Sequence, residues 1–242
     1  MDAATRPPAP DACRRVMKAP LGGVRVPSVE GVILDSTGSG RRKTRRPLFD
    51  TKMMERGIRL FLDGMGPVVP LEVLRDTPRL VAEAWADELL AGYSSTEGPL
   101  LVPLGEKPPD SLIVVRGIRF ASICRHHLLP FQGTAAVGYL PARRLAGFSS
   151  LARVVDTLAR RLQIQEELSE EILDTLEKAL LPKGAACLLE AGHQCMTCRG
   201  AGQPDARVTT LRYRGVFERD PARRREMAAL LRGVRTPVKR KR

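Results

Sequence analysis

Residues 111–131 read SLIVVRGIRFASICRHHLLPF, an apolar run that ends in a cluster of cysteine and histidine. The first part of this segment is rich in β-branched residues and predicts a strand over 111–123. Cys124 and His127 follow at once, three residues apart, a spacing that is common for two zinc ligands on one turn. The segment therefore predicts a strand that carries metal ligands at its end.

A second pair of potential ligands, His193 and Cys195, follows another apolar run, which predicts a strand over 184–190. The chain contains only five cysteines and three histidines, and each histidine lies within three residues of a cysteine. Zinc favours thiolate and imidazole ligands in a tetrahedral site. Cys124, His127 and Cys195 would supply three ligands and leave the fourth position open to water, which is typical of catalytic zinc. Water bound there becomes a nucleophile near neutral pH.

The cysteines and histidines around this set leave its role open. Cys195 and Cys198 form a CxxC pair, and Cys198 could close the site as a structural Cys3His set without bound water. If the site is open, His126 and His193 stand beside the metal as proton-transfer groups, because imidazole titrates near neutral pH. Such an arrangement suits hydrolysis of a C–N bond. Cys187, within the apolar run, is expected to be a core residue.

Apolar periodicity and turn residues along the chain predict an α+β domain, with an antiparallel sheet backed by helices. Ser149 or Ser150 is expected to cap one helix and Asp220 the last one. Acidic residues near Ser169 suit the first turn of another helix. The predicted helices are 52–63, 71–90, 151–162, 169–181 and one opened by Asp220-Pro221. The predicted strands are 111–123, 134–140, 184–190 and 207–217. Residues 96–110 are expected to form a loop.

The two ends of the chain differ from its middle in charge. Residues 1–49 contain 10 Lys/Arg against 4 Asp/Glu, 233–242 contain 5 Lys/Arg and no acid, and 50–232 contain 25 Lys/Arg against 23 Asp/Glu. We therefore predict a flexible basic leader over 1–49, a folded domain over 50–232 and a basic tail over 233–242. Within the domain, 50–95 is expected to be helical and 111–232 to contain the sheet.

The net charge of +13 does not by itself predict nucleic-acid binding, since the excess lies in the two ends. Contact of these ends with polyanions stays an alternative to solvated tails. One Trp and three Tyr offer few platforms for base stacking, and nucleic acid is not an expected partner. The chain has no run of 18 apolar residues and no apolar segment typical of a secretory signal at its start. We expect a cytoplasmic protein without membrane contact.

Several short motifs carry a resemblance that extends over roughly residues 50–232. They are SICRHHLLPF at 122–131, GYLP at 138–141, RRLQIQE at 160–166, HQCM at 193–196 followed by Arg199-Gly200, GVF at 215–217, and Asp220-Pro221. In type and in order they resemble the motifs of the GTP cyclohydrolase I family. Because the motifs are independent of one another, their agreement makes the resemblance specific.

The resemblance implies a tunnelling fold and a homodecamer of two pentamers, with active sites between subunits. It implies conversion of GTP and water to 7,8-dihydroneopterin triphosphate and formate, the first step of folate or tetrahydrobiopterin synthesis. Zinc-bound water attacks C8 of the purine, formate leaves, and the ribose rearranges to close the pterin ring. The family's pattern does not need a cysteine at the position of Cys198, which favours the open, catalytic zinc site.

The resemblance also implies roles for the metal-ligating and proton-transferring residues. Cys124, His127 and Cys195 match the zinc ligands. His126 and His193 match the two catalytic histidines, and His193 matches the proton donor to the purine.

Five further residues match substrate contacts of the family. Glu166 matches the carboxylate that holds the guanine edge, with Gln165 beside it. A carboxylate can accept two N–H bonds from guanine, which suits selection of this base. Ser149, Arg153 and Arg199 match positions around the triphosphate.

The chain departs from the family's pattern at five positions, mostly where substrate is expected to bind. The family usually has Glu at the position of Arg125, a phosphate-binding Lys at that of Ser150 and Arg at that of Leu80. Leu211 and Arg212 replace small hydroxyl residues. Loss of one charge-assisted phosphate contact costs about 1.5–3 kcal/mol, so the departures bear on affinity for the substrate.

Arg125 leaves two interpretations open. It could restore positive charge in the pocket, or it could pair with Glu166 and disturb guanine recognition. Three hypotheses for the whole chain follow: a working GTP cyclohydrolase I; a divergent paralogue that uses another purine nucleotide or acts as a weakly active partner subunit; and a non-catalytic zinc module with nucleic-acid-binding tails.

Overall fold

The structure, a computed structural model, describes residues 48–94, 101–104 and 111–233. The predicted leader and tail therefore lie almost wholly outside the described residues, as does most of the predicted loop over 96–110. No helix in the described part of the chain is long and apolar enough to cross a membrane.

The central element is a five-stranded sheet, in which each strand is antiparallel to its neighbours except for one short strand at the edge. The order is β5-β2-β3-β6-β7, and β5 pairs with the end of β2 in parallel. Two further short strands, β1 and β4, form a separate antiparallel pair. The strands are β1 Pro103–Leu104, β2 Ile113–Cys124, β3 Pro130–Leu140, β4 Leu145–Ala146, β5 Leu162–Gln163, β6 Gly184–His193 and β7 Val208–Gly215.

Helices precede the sheet, pack on it and close the described chain. Both predicted N-terminal helices are present, and the second continues into a π-helical turn at Trp85–Leu89. The α-helices are α1 Thr51–Asp63, α2 Leu71–Ala84, α3 Phe148–Ala159, α4 Gln165–Leu180, α5 Gln194–Thr197, α6 Val216–Arg219 and α7 Pro221–Arg232. The α+β prediction is confirmed, and the arrangement of an antiparallel sheet backed by helices is that of the tunnelling fold.

Alternation along the strands divides the apolar side chains between two sides of the sheet. On one side, α3 and α4 cover the main core. On the other side, α7 places Met227 and Leu231 against Ala136, Ala186 and Leu188. Fully buried residues of the main core include Val137 and Tyr139 of β3, Leu151, Val154 and Val155 of α3, Leu168, Ile172, Leu173 and Leu176 of α4, and Cys187 and Leu189 of β6.

Two helix starts differ from the predictions. Ser149 and Ser150 do not cap α3, because Gly147 occupies the N-cap position in an extended conformation and makes no side-chain hydrogen bond there. Helix α4 begins at Gln165 rather than near Ser169. Its earlier start brings Glu166 into the first turn, where an acidic side chain is favoured by the helix dipole.

Several strand ends also differ, and β6 continues to His193, beyond its predicted end at residue 190. Strand β3 begins at Pro130, before the predicted start at Thr134. Strand β7 ends at Gly215 instead of Phe217, and α6 follows directly. Gly215 has a φ of 63°, and a Cβ atom there would lie 2.5 Å from the carbonyl oxygen of Lys183, so only glycine fits this turn. The prediction for the last helix is confirmed, since Asp220 accepts hydrogen bonds from Ala222 N and Arg223 N.

The core packing yields a first prediction. Leu173 is fully buried between α4 and the sheet, and Leu173→Ala should lower the free energy of unfolding by about 2–5 kcal/mol, because it removes apolar contacts and leaves a cavity. Denaturant unfolding followed by circular dichroism measures the change. Leu181→Ala, at the exposed end of the same helix, is the control and should have a much smaller effect. Equal effects of the two variants would contradict the packing of α4.

Candidate metal centre and active site

The direction of the strands brings the two predicted ligand segments together. β2 and β6 are both antiparallel to β3, which lies between them, so β2 and β6 run the same way and end at the same edge. Ile123 pairs with Pro130, and His193 pairs with Phe131 one residue further along β3. Cys124 and His193 therefore stand at neighbouring strand ends.

A tight turn after β2 positions the histidines. Cys124 N donates to Leu129 O at 2.9 Å, and Leu128 N donates to Cys124 O at 2.8 Å. Leu128 has a φ of 55°, a left-handed conformation that costs a leucine roughly 1–2 kcal/mol. Because the chain reverses here, His127 is directed back toward Cys124.

The side chains of Cys124, His127 and Cys195 meet as a potential metal site. Their ligand atoms all lie within 4.8 Å of one another. Ligands of a tetrahedral zinc ion, at about 2.0–2.3 Å from the metal, lie about 3.3–3.8 Å apart, so only small side-chain movements are needed. Two thiols and one imidazole form the donor set that zinc prefers. The residues present therefore fit zinc.

Cys198, the possible fourth ligand, belongs to no such group within the described ranges. Its thiol is exposed and donates to Gln194 O at 2.9 Å. Burial raises the pKa of the Cys195 thiol, and the nearby Cys124 raises that pKa further. A cation held between these two sulfur atoms would relieve this penalty by favouring both thiolates.

His193 is held by a buried glutamine. The side-chain nitrogen of Gln165 donates to two backbone carbonyls, Leu189 O at 3.3 Å and Val208 O at 3.0 Å, and to Thr210 Oγ1 at 3.0 Å. Because carbonyls only accept, the amide oxygen of Gln165 must face the other way, where it lies 2.8 Å from His193 Nε2. His193 therefore carries a proton on Nε2 and, when neutral, offers Nδ1 as an acceptor.

The ring of His193 also stacks on Phe131, with the centroids 4.6 Å apart and the planes 3° from parallel. Burial lowers the pKa of His193, and the carboxylate of Glu166 opposes that shift. His126 is exposed, and its Nδ1 lies 3.9 Å from Cys124 Sγ. The two predicted catalytic histidines thus stand beside the potential metal site in different environments.

Arg125 does not pair with Glu166. Its guanidinium forms two parallel bonds to Glu167, with Nη1–Oε2 at 2.6 Å and Nη2–Oε1 at 2.8 Å. Its backbone N–H donates to Gln163 O at 3.2 Å. The turn after β2 is therefore joined to β5 by a backbone hydrogen bond and to the start of α4 by an ion pair.

The predicted substrate residues occupy three places. Glu166 is exposed in the first turn of α4, beside the buried Gln165. Arg199 is exposed after α5, close enough to Cys195 to act on its charge. Ser149 and Arg153 are exposed on α3, on a different element from the metal ligands. Their roles in binding substrate stay predictions.

Two of the remaining departures from the family's pattern, Arg212 and Leu211, make contacts within the fold. Arg212 Nε lies 3.1 Å from Glu170 Oε1, and Arg214 pairs with the same carboxylate, so the two arginines tie β7 to α4. Leu211 packs partly buried against the smaller core. Leu80 is half exposed on α2, and nothing in the structure explains this substitution.

Two residues of the site were not predicted from the sequence. Phe131 stacks on His193, and its place shortly after the predicted ligand turn was the signal that could have found it. Glu167 pairs with Arg125. The sequence offers two adjacent acids, Glu166 and Glu167, and gives no signal that distinguishes which of them is the partner.

Comparison with known proteins identifies the family of the chain. The family model for GTP cyclohydrolase I matches residues 54–232. GTP cyclohydrolase 1 of Wolinella succinogenes is 41% identical over 180 residues, which cover 74% of this chain and 96% of that protein. GTP cyclohydrolase 1 of Sulfurihydrogenibium sp. is 42% identical over 170 residues, which cover 70% of this chain and 89% of that protein.

Among solved structures, an archaeosine synthase QueF-Like in the apo form is similar over 45% of this chain and 97% of that chain, with a TM-score of 0.37 and 19% identity. The family assignment comes from the family model and the sequence relatives. The chain is an enzyme and belongs to the GTP cyclohydrolase I family.

The geometry of the cysteines yields a second prediction. The purified protein should hold one zinc ion per chain, and Cys195→Ser should lose it, because one of three protein ligands is removed. Cys198→Ser is the matched control and should keep the zinc, because its thiol lies outside the ligand group. Metal analysis after dialysis against a chelator measures both. Loss of zinc from Cys198→Ser would instead indicate a closed Cys3His site.

Proposed function

We propose that this enzyme converts GTP and water to 7,8-dihydroneopterin triphosphate and formate, the first step of folate or tetrahydrobiopterin synthesis. The observation that carries the proposal is the meeting of Cys124, His127 and Cys195 at the edge where His193 and Glu166 also stand. Membership of the family supports the choice of reaction. The catalytic unit is inferred to be 50–232, with the leader and tail outside it.

The three ligands would hold zinc with one position open, and bound zinc supplies a water that is acidic enough to attack the purine at neutral pH. The absence of Cys198 from the ligand group supports an open position. The same feature disfavours the non-catalytic zinc module among the three hypotheses.

The two catalytic histidines would move protons at the purine. Gln165 fixes the His193 ring with Nε2 protonated, so Nδ1 is the atom that would exchange a proton with the substrate. Stacking on Phe131 restricts rotation of the ring out of this orientation. His126, exposed and near Cys124, would serve as a second proton-transfer group.

Glu166 would select guanine. Its carboxylate is exposed in the first turn of α4, and in the described part of the chain it has no ion-pair partner because Arg125 is bound to Glu167. It is therefore available to accept two N–H bonds from the guanine edge. Arg125 does not support the divergent-paralogue hypothesis, because it leaves the Glu166 carboxylate available to bind guanine.

The triphosphate would bind to Ser149, Arg153 and Arg199. Ser149 and Arg153 lie on α3, whereas Arg199 lies close to the metal ligands. In the assembly that the family resemblance implies, one chain would supply α3 residues to the metal site of another. Ser150, where the family usually has Lys, would weaken the phosphate contact and raise KM for GTP.

A homodecamer of two pentamers is the assembly that we propose. Two sheet edges lack a partner strand among the described residues, the outer edge of β7 and the part of β2 before Ile123. A neighbouring chain could continue the sheet there. Helix α1 buries none of its side chains in the single chain, and Leu60 and Phe61 are exposed to 71% and 69%, which suits a covered face in an oligomer.

The guanine assignment gives a third prediction. Wild-type protein with bound zinc should form the dihydropterin product from GTP, followed by absorbance and by fluorescence of the oxidised product. Glu166→Ala should lower kcat/KM for GTP at least about a hundredfold, because two charge-assisted bonds to the base are lost, while zinc content is unchanged. Glu226→Ala, an exposed carboxylate on α7, is the control. Retained turnover in Glu166→Ala would remove the guanine assignment.

The assembly gives a fourth prediction. Wild-type protein should have the mass of about ten chains by light scattering. The double variant Leu60→Asp/Phe61→Asp should form smaller species, because burying two carboxylates without partners is costly. Arg56→Asp, exposed on the same helix, controls for added negative charge. A wild-type monomer, or an unchanged mass in the double variant, would contradict a role of this face in assembly.

A further inference from the structure

The pairing of Arg125 with Glu167 joins the two segments that the proposed reaction must keep in register. Arg125 lies within the turn that carries Cys124 and His127. Glu167 follows Glu166 directly in the first turn of α4. The segment with the metal ligands and the segment with the guanine-binding carboxylate are thus connected by one ion pair.

The geometry of this pair is better than that of an ordinary surface contact. Both guanidinium nitrogens face both carboxylate oxygens, at 2.6 Å and 2.8 Å, which fixes the relative orientation of two planar groups. The side chains are 37% and 48% exposed, so the pair contributes little to global stability. We expect the pair instead to affect the position of the start of α4 relative to the turn after β2.

The pair also controls charge next to the guanine-binding residue. Glu166 and Glu167 are consecutive carboxylates, and the substrate itself carries a triphosphate. Arg125 neutralises Glu167 and is itself held away from Glu166. The acceptor for guanine therefore stays available, and the negative charge that meets the substrate is reduced.

We propose that Arg125 and Glu167 form a positioning clamp that sets the place of Glu166 relative to the metal ligands and thereby determines affinity for the purine nucleotide. The clamp rests on the proposed function of the site. Neither residue needs to touch the substrate, since both side chains are occupied by each other.

The test is a charge-swap cycle read as KM and kcat for GTP, with zinc content measured on each protein. Arg125→Glu should raise KM about tenfold, because Glu167 is then faced by a like charge, and Glu167→Arg should do the same. The double variant Arg125→Glu/Glu167→Arg should return KM to within about threefold of wild type. kcat and zinc content should stay within about twofold throughout.

Glu167→Gln separates the clamp from a direct contact between Arg125 and the triphosphate. The clamp requires KM to rise about threefold, because the bidentate ion pair is lost. A direct contact requires KM to stay the same or fall, because Arg125 would be released toward the phosphates, and that result overturns the proposal.

A matched control is another bidentate pair on the surface, Arg75 with Asp76 on α2, whose charge swap should leave KM unchanged. Failure of the double swap to recover KM, or an unchanged KM in Arg125→Glu, overturns the clamp while the proposed function stands. Absence of GTP turnover in zinc-loaded wild-type protein overturns the proposed function, and the clamp with it.

Discussion

The site depends on the directions of three strands. Because β3 is antiparallel to both of its neighbours, β2 and β6 must end at the same edge of the sheet. Residues almost 70 positions apart in the chain are brought together there by backbone hydrogen bonds alone. The register of β3 decides which of them meet: a slip of one residue along either neighbour would turn the ligand side chains to the other face.

Side-chain hydrogen bonds of Gln165 then fix the orientation of His193 within the site. Gln165 is nearly fully buried, and its amide nitrogen and oxygen are all engaged by the protein. Since Val208 and Leu189 belong to the strands around it, the tautomer of His193 is determined by the sheet itself. The side chain of His193 is therefore held by buried groups of the core, whereas His126 and His127 are exposed.

The sequence predicted the main strands and the candidate metal ligands, but it did not predict the contacts that position the side chains around them. Apolar runs located the main strands, and the candidate ligands were noticed because they follow two of these runs directly. The short strand β5 has too few residues for a periodic signal, and its pairing with β2 is what brings Gln163 and the start of α4 to the metal ligands. Arg125 pairs with Glu167 and not with Glu166 because consecutive side chains on a helix point about 100° apart. The direction in which each one points depends on how α4 is rotated about its axis, and no local sequence pattern predicts that rotation.

The ion pair between Arg125 and Glu167 also has an evolutionary consequence. Reversing either charge alone places two like charges at contact distance, so a lineage could exchange arginine and glutamate here only through a neutral intermediate or by two nearly simultaneous changes. Relatives with glutamate at the position of Arg125 are accordingly expected to have a basic residue at that of Glu167. Selection in such a pair acts on the contact, so a reversed charge at one position has to be judged together with the charge at the other.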